Sequence, residues 1–416
     1  MEKIKFNNGK LTILQISDAQ DTQWVRKTML AMLNKACDRI NPDLIIFTGD
    51  NILGNHLNDQ RFGTGQRKLS RGEQYKILET AIHHVIDIPE LRNIPFAIIF
   101  GNHDDRNSFT KEEQADIFRA CRMNRGLETT GRLCGTYRLP VYSTDGENNV
   151  FDIYMIDTAY FDHAAGEGFE EITPEAVEWY KKEAEENQNP AMMFMHIPFK
   201  ELEHFVETDG NGKVLGLKNG AVGDVGEHVC PLPEDNGFYE AVRSNGNTKM
   251  IVSGHDHTNC FTGNRDGIEF VATPTSSFRC YGDHTRGVRV FDIYEHNPEN
   301  IYTYTLTMSD LMGDGLVTKI RYFWDADEME KKKFGQFIKE SRIKKGYTQK
   351  ELADLLFIDV TAVSKWESAQ TIPDIDKIML LGELFGVTTD YLLKDSIEDE
   401  EIAEPAPRSR RPSPFA

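Results

Sequence analysis

The chain has little of what marks a secreted, membrane-bound or nucleic-acid-coating protein. Its six cysteines, at 37, 121, 134, 230, 260 and 280, form no C-x-x-C pair and no dense framework. That argues against a disulfide scaffold, and free thiols in a reducing cytoplasm are expected. No apolar run approaches the roughly 18 to 20 residues a membrane helix needs. The opening "MEKIKFNNGK" has no apolar signal core. Positive charge is scarce: 47 Lys and Arg stand against 67 Asp and Glu, a formal net charge of -20. Such a balance opposes unguided binding to nucleic acid or an anionic membrane. There is no internal repeat.

What is there is alternation, in a chain of 416 residues that has room for two or three domains. The runs "LTILQI", "DLIIFTG", "PFAIIFG", "FDIYMID", "AMMFMH", "KMIVSG", "IEFVAT" and "VRVFDIY" read as strands. Between the first of them, "QWVRKTMLAMLNKACDRI" and "RGEQYKILETAIHHVIDI" carry apolar residues at helical spacing. This is the pattern of a layered α/β protein over residues 1–322. A charged linker at 323–333 and a compact all-helical domain at 334–394 are expected to follow. The tail, 395–416, is acidic and then rich in Pro, Ser and Arg, without the apolar residues for a core, and disorder is expected there.

Several strands finish in a metal-binding residue type. In order these are Asp18 in "ISDAQ", Asp50 in "FTGDN", Asn102 and His103 in "FGNHDD", His196 in "FMHIP", and His255 and His257 in "SGHDH". The C-terminal strand edge of an open α/β sheet is where ligands bind, so these groups can meet in one crevice. Gly49, Gly101 and Gly254 precede three of them and are expected to permit a sharp exit turn. Carboxylates, an amide and histidines suit Mn, Fe or Zn better than Ca or Mg. Singly, each piece also reads as a turn former, a helix cap or a core histidine.

The ordered set resembles the calcineurin-like metallophosphoesterase superfamily over roughly residues 10 to 300. "FTGDNILG" and "SGHDHTNCF", with the later "RGVRVFDI", look most like its small purple-acid-phosphatase-related branch. The resemblance implies a four-layer α/β/β/α sandwich with two divalent metal ions at one edge of the paired sheets. It implies that Asp50 bridges both metals, that Asp18 and His257 hold the first, and that Asn102, His196 and His255 hold the second. His103 matches the histidine that contacts the phosphate and helps the leaving oxygen gain its proton. A hydroxide between ions ~3.5–4 Å apart would attack phosphorus in line. Asp104 is expected either to orient the His103 ring or to serve a surface turn.

The sequence departs from that pattern at one place. The superfamily fills its first metal site either with histidine in D-x-H or with tyrosine three residues after the bridging aspartate. Here Gln20 and Leu53 occupy those positions. An amide oxygen is a weaker donor to a transition ion than imidazole. Gln20 therefore implies a looser first metal, with the amide either ligating directly or hydrogen-bonding beside it, and no tyrosinate colour. Hydrolysis is expected to survive.

The helical stretch "GYTQKELADLLFIDVTAVSKWESAQTIPDIDKIMLLGELFGVTTDYLL" opens with a capping box, Thr348 and Glu351. Leu352, Ala353, Leu355 and Leu356 then give an apolar face. Asp359 caps the next helix, whose Ala362, Val363 and Trp366 face inward. Pro373 and Asp374 open another helix, and "GVTTDYLL" closes the bundle. "YTQKELADLL", "SKWE" and "DYLL" resemble the lambda-repressor/Cro-like helix-turn-helix family. By that resemblance Gln349 and Ser364 lie near DNA phosphates, while Val360, Thr361 and Lys365 face the major groove. Phe357 and Ala369 stand where glycine is frequent. Apart from Lys331 to Lys333, basic and acidic residues nearly balance, so non-specific DNA affinity should be modest and salt-sensitive.

The expected function is a cytoplasmic, dinuclear-metal-dependent phosphoester hydrolase with an appended DNA-binding or regulatory module. Its partners would be a phosphorylated small-molecule or protein substrate, DNA through the C-terminal domain, and a second copy of the chain, but no membrane. The alternatives are a transcription regulator whose phosphoesterase domain senses a phosphorylated ligand, and a metal-dependent nuclease. Arg279, His284, Arg286, His56 and His163 are candidates to line the phosphate's surroundings.

Overall fold

Leu11 through Ile16 are buried without interruption, which a sheet with one wet face does not allow; such a strand must be covered on both sides. The computed structural model describes residues 3–54, 57, 69–104, 106–162, 166–313, 328–368, 370–373 and 375–387. His56, His163, Ala369, Asp374, the segment 314–327 and residues 388–416, with the expected tail, lie outside the described residues, as do the side chains of Lys331 to Lys333. The chain divides into two units, Met1–Gly313 and Asp314–Ala416.

All eight apolar runs form strands. Among the described residues one sheet has five strands, in spatial order Ile301–Thr307, Gly287–Tyr294, Lys10–Ile16, Leu44–Thr48 and Phe96–Ile99. The last three are mutually parallel. The larger sheet has eight, in the order Ile4–Lys5, Tyr137–Tyr142, Asn149–Ile156, Ala191–Met195, Thr248–Ser253, Ile268–Ala272, Asn259–Arg265 and Val222–Val225. Its four central strands, from Asn149–Ile156 to Ile268–Ala272, run parallel.

The sheets pack face to face. Phe194 of the larger meets Phe291 of the smaller edge-on, with centroids 5.6 Å apart. Gln15 reaches across to Thr273 at 2.9 Å. Helices Pro174–Glu186 and Phe238–Asn245 cover the outside of the larger sheet, where Tyr180 and Phe238 join the core around Tyr154. Helix Lys27–Ile40 packs on strands of the smaller sheet. The layers are therefore helix, sheet, sheet, helix. Parallel strands in both sheets deliver their C-terminal ends to one edge.

The second unit has helices Glu328–Lys344, Gln349–Leu355, Val360–Glu367 and Ile375–Phe385 among its described residues. Phe334, Ile338, Leu352, Val363, Trp366, Ile378 and Leu381 belong to its buried core. Both expected caps form: the Thr348/Glu351 capping box is complete, and Asp359 accepts from Thr361 N. Leu355 departs from expectation. It is 43% exposed, because the inward face of so short a helix is filled by Leu352, Ala353 and the following Leu356. No helix among the described residues is long and apolar enough to cross a membrane.

Candidate metal centre

Every strand-end residue singled out above arrives at one place. His196 Nε2 lies 3.4 Å from Asp50 Oδ1, 3.9 Å from Asp18 Oδ1 and 3.2 Å from Asn102 Oδ1. His257 Nε2 is 3.4 Å from Asp18 Oδ1. The His255 ring sits edge-on to that of His196, centroids 5.2 Å apart, and its backbone N–H donates to Asp18 Oδ2. The His103 N–H donates to Asp50 Oδ1 at 2.8 Å. Asp18, Asp50 and His196 are almost wholly buried.

Two of the imidazoles, those of His196 and His257, are oriented by carbonyls. Nδ1–H of His196 is donated to the Thr48 carbonyl at 2.9 Å, and Nδ1–H of His257 to the Tyr281 carbonyl at 3.0 Å. Each contact turns Nε2 toward the carboxylates, as a ligating histidine requires. Neither carbonyl was foreseeable from the sequence, since a backbone oxygen carries no residue signature.

The backbone is strained at the same place. Asp18, Gln20, Asp50 and His255 all have positive φ, of 49°, 34°, 47° and 73°, at of order 1–3 kcal/mol each. Hydrogen bonds hold them there: Asp18 N to the Gly49 carbonyl, Gln20 N to the Asp50 carbonyl, and Ser277 N and Thr275 Oγ1 to the Asp18 carbonyl. The run "TPTSS" after a strand was the overlooked signal for this clamp. Gly49 makes the expected sharp turn, with a φ of 86°, and a Cβ there would also lie 2.6 Å from the His196 ring. At Gly101 and Gly254 φ is not the constraint. A Cβ at Gly101 would come within 2.8 Å of His196 Nε2, and one at Gly254 within 2.7 Å of Asp18 Oδ2. They are small so that ligands can approach.

Asp104 is neither a surface residue nor a partner of the His103 ring. It is buried, accepting from Gly101 N at 2.7 Å, Ile52 N at 3.0 Å and Asn51 Nδ2 at 3.1 Å, and so ties two ligand-bearing loops together. Arg279 is occupied by Asp21 and by the Trp24 carbonyl. Arg286 donates to the Cys280 carbonyl and lies over the Phe278 ring, and His284 is exposed beside Asp283 and Asp224.

Charge in the centre is organised around His196. Burial disfavours its charged form, but Asp50 and Asp18 outweigh that and raise its pKa to about 9. Burial and the charge on His196 push His255 down to about 4. Burial would raise both Asp18 and Asp50, yet His196 holds them below the usual carboxylate range.

This donor set suits a divalent cation. Asp18, Asp50 and His196 offer ligand atoms within 4.8 Å of one another. Asp18 Oδ1 and Gln20 Oε1 are buried and accept no hydrogen bond from any described residue. Orphaned buried acceptors cost about 1–3 kcal/mol, which a cation would offset. Gln20 lies against the other oxygen of Asp50, its Nε2 donating to Oδ2 at 2.9 Å. Turning the amide over would bring Oε1 to the same position, so the side chain can act as hydrogen-bond donor or as neutral oxygen ligand. Leu53 supplies no such atom.

In the second unit Val360, Thr361, Ser364 and Lys365 are exposed on one short helix. Gln349 donates its amide to Glu367 at 2.8 Å. Glu367 also receives the Arg342 guanidinium in a two-pronged pair at 2.5 and 3.1 Å.

The family model for calcineurin-like phosphoesterases matches residues 11–259, more than half of the chain, which belongs to that family. A helix-turn-helix family model matches residues 338–392. A relative in Arabidopsis thaliana, named probable inactive purple acid phosphatase 29, is 23% identical over 67% of this chain and 75% of its own. The HTH-type transcriptional regulator ImmR of Bacillus subtilis is 45% identical over 15% of this chain and half of its own length. A solved dimetal phosphatase from Danio rerio is 12% identical, with a TM-score of 0.47, and covers 72% of this chain and 96% of its own.

Proposed function

We propose that the first unit is a dinuclear-metal-dependent phosphoester hydrolase and the second a DNA-binding or regulatory module attached to it. The observation that carries the reading is the position of Asp50. Its Oδ1 faces His196 and accepts from His103 N, while its Oδ2 faces Gln20. The resemblance then assigns Asn102, His196 and His255 to one cation and Asp18 and His257, with Gln20 beside them, to the other. These are the residues that would hold two divalent cations, with Mn, Fe or Zn favoured by the nitrogen-bearing donor set. Bound there, the cations supply Lewis-acid polarisation of the phosphoryl oxygens and of the attacking water. His103 would hold a proton for the leaving oxygen. Its ring stands half-buried at the centre, and its Nδ1 has no hydrogen-bond partner among the described residues.

The test is metal analysis of the Mn-reconstituted chain together with a panel of phosphomonoesters, phosphodiesters and DNA. More than one ion per chain and monoester turnover that falls about a thousandfold in Asp50→Asn are expected. Fewer than one ion per chain and no turnover would sink the reading. One contact favours a sensing regulator as the second reading: the Gln20 amide already occupies an Asp50 oxygen. Operator binding that responds to a phosphorylated ligand and persists in Asp50→Asn would establish it.

A further inference from the structure

Two exposed aromatic side chains stand on the loops that border the metal centre, Tyr281 at 58% and Trp24 at 53% exposure. Tyr281 lies directly against a candidate ligand. Its ring stacks on the ring of His257, centroids 4.2 Å apart and planes 23° from parallel. Its hydroxyl donates to Glu227 Oε2 at 2.8 Å, and Glu227 Oε1 accepts from the N–H and hydroxyl of Thr258. One face and the far end of the ring are therefore held, while more than half of the residue stays open to solvent. The backbone at the following residue is closely packed, since a Cβ at Gly282 would lie 2.8 Å from both Arg286 Nη2 and Thr275 Cγ2.

Trp24 follows Gln20 by four residues, and its loop is tied to the Tyr281 loop by one side chain. Arg279 donates from Nε to Asp21 Oδ1 and from Nη2 to the Trp24 carbonyl at 2.6 Å. The other strongly exposed aromatics described in this unit, Tyr302 and Tyr304, lie on the edge strand Ile301–Thr307. A fixed ring loses little freedom when something stacks on it, which is the economical way to recognise a flat group. Glu227, Asp256 and Asp18 all act on Tyr281 electrostatically. A second negative charge on the ligand would meet them unfavourably.

We propose that Tyr281 and Trp24 form a stacking site for the alcohol half of the substrate, which is a small phosphomonoester carrying an uncharged planar ring such as a nucleoside or aryl group. The assignment rests on the hydrolase reading for its reaction, but not for its binding. Phenylphosphonate and cyclohexylphosphonate, which are not hydrolysed, separate the two. Titrated calorimetrically into the Mn-loaded full chain, the flat ring is expected to bind roughly three- to tenfold tighter than the puckered one. That ratio should fall toward one in Trp24→Ala and in Tyr281→Leu, which keeps an apolar cover over His257. Equal affinities in the unmodified chain, no binding of either ligand, or a ratio that survives both substitutions would overturn the proposal. A retained ratio without turnover of any ester would instead sink the hydrolase reading and leave the stacking site standing.

Discussion

In the phosphoesterase unit Asp18, Asp50 and His196 are almost wholly buried, whereas in the helical unit Val360, Thr361, Ser364 and Lys365 stand in solvent. Burying charge costs several kcal/mol per ion unless something compensates for it, so aspartates and histidines at buried strand ends need partners, which they find here in one another and would find in a bound cation. Exposed residues on a short helix carry no such penalty. Their identities constrain the fold little and say correspondingly little about what the helix reads. The apolar positions Leu352, Val363 and Trp366 define the bundle, but a bundle is compatible with DNA binding or with pairing of copies.

The contrast can be broken most sharply at Asp50. Asp50→Asn should lower kcat/KM by on the order of a thousandfold, the upper range for losing one preorganised electrostatic group, with retained folding checked by circular dichroism. In the helical unit the counterpart is Arg342, whose guanidinium and partner Glu367 are 11% and 5% exposed. Arg342→Ala should cost about 3 kcal/mol, the lower end for breaking a buried pair. Hydrogen exchange of helix Val360–Glu367 in the full chain would measure it, and an accompanying fall in hydrolysis would show that the two units are coupled. Adding Mn at a hundredfold excess over its Kd should stabilise the first unit by about 2.7 kcal/mol and leave exchange in the second unchanged. Smallest of all, Lys365→Ala should weaken duplex binding a few-fold and reduce the slope of log affinity on log salt by about one. Fluorescence anisotropy at several salt concentrations checks this.

Much of the centre was legible because its members differ from their surroundings: a polar residue ending an apolar strand stands out whatever the fold. Gln20 was legible as a departure for the same reason. The supports were not. The Thr48 and Tyr281 carbonyls belong to the backbone. Asp104 is an aspartate in a turn until its three donors are located. Gly101 and Gly254 read as turn formers until the ligands beside them are seen. Tyr281 and Glu227 lie 54 residues apart and carry no shared pattern.

By itself, then, the sequence determined the strands, the helical caps, the division into an α/β part and a helical part, and the chemical types of the candidate ligands. Those follow from local periodicity and from single residues, which short stretches of chain carry. Only the tertiary structure decided which nitrogen His196 and His257 present, which oxygen of Asp50 faces Gln20, and that an open aromatic ring lies over His257. Those depend on atoms far apart in the chain meeting within a few ångströms, and packing of the two sheets, not any local pattern, brings them there.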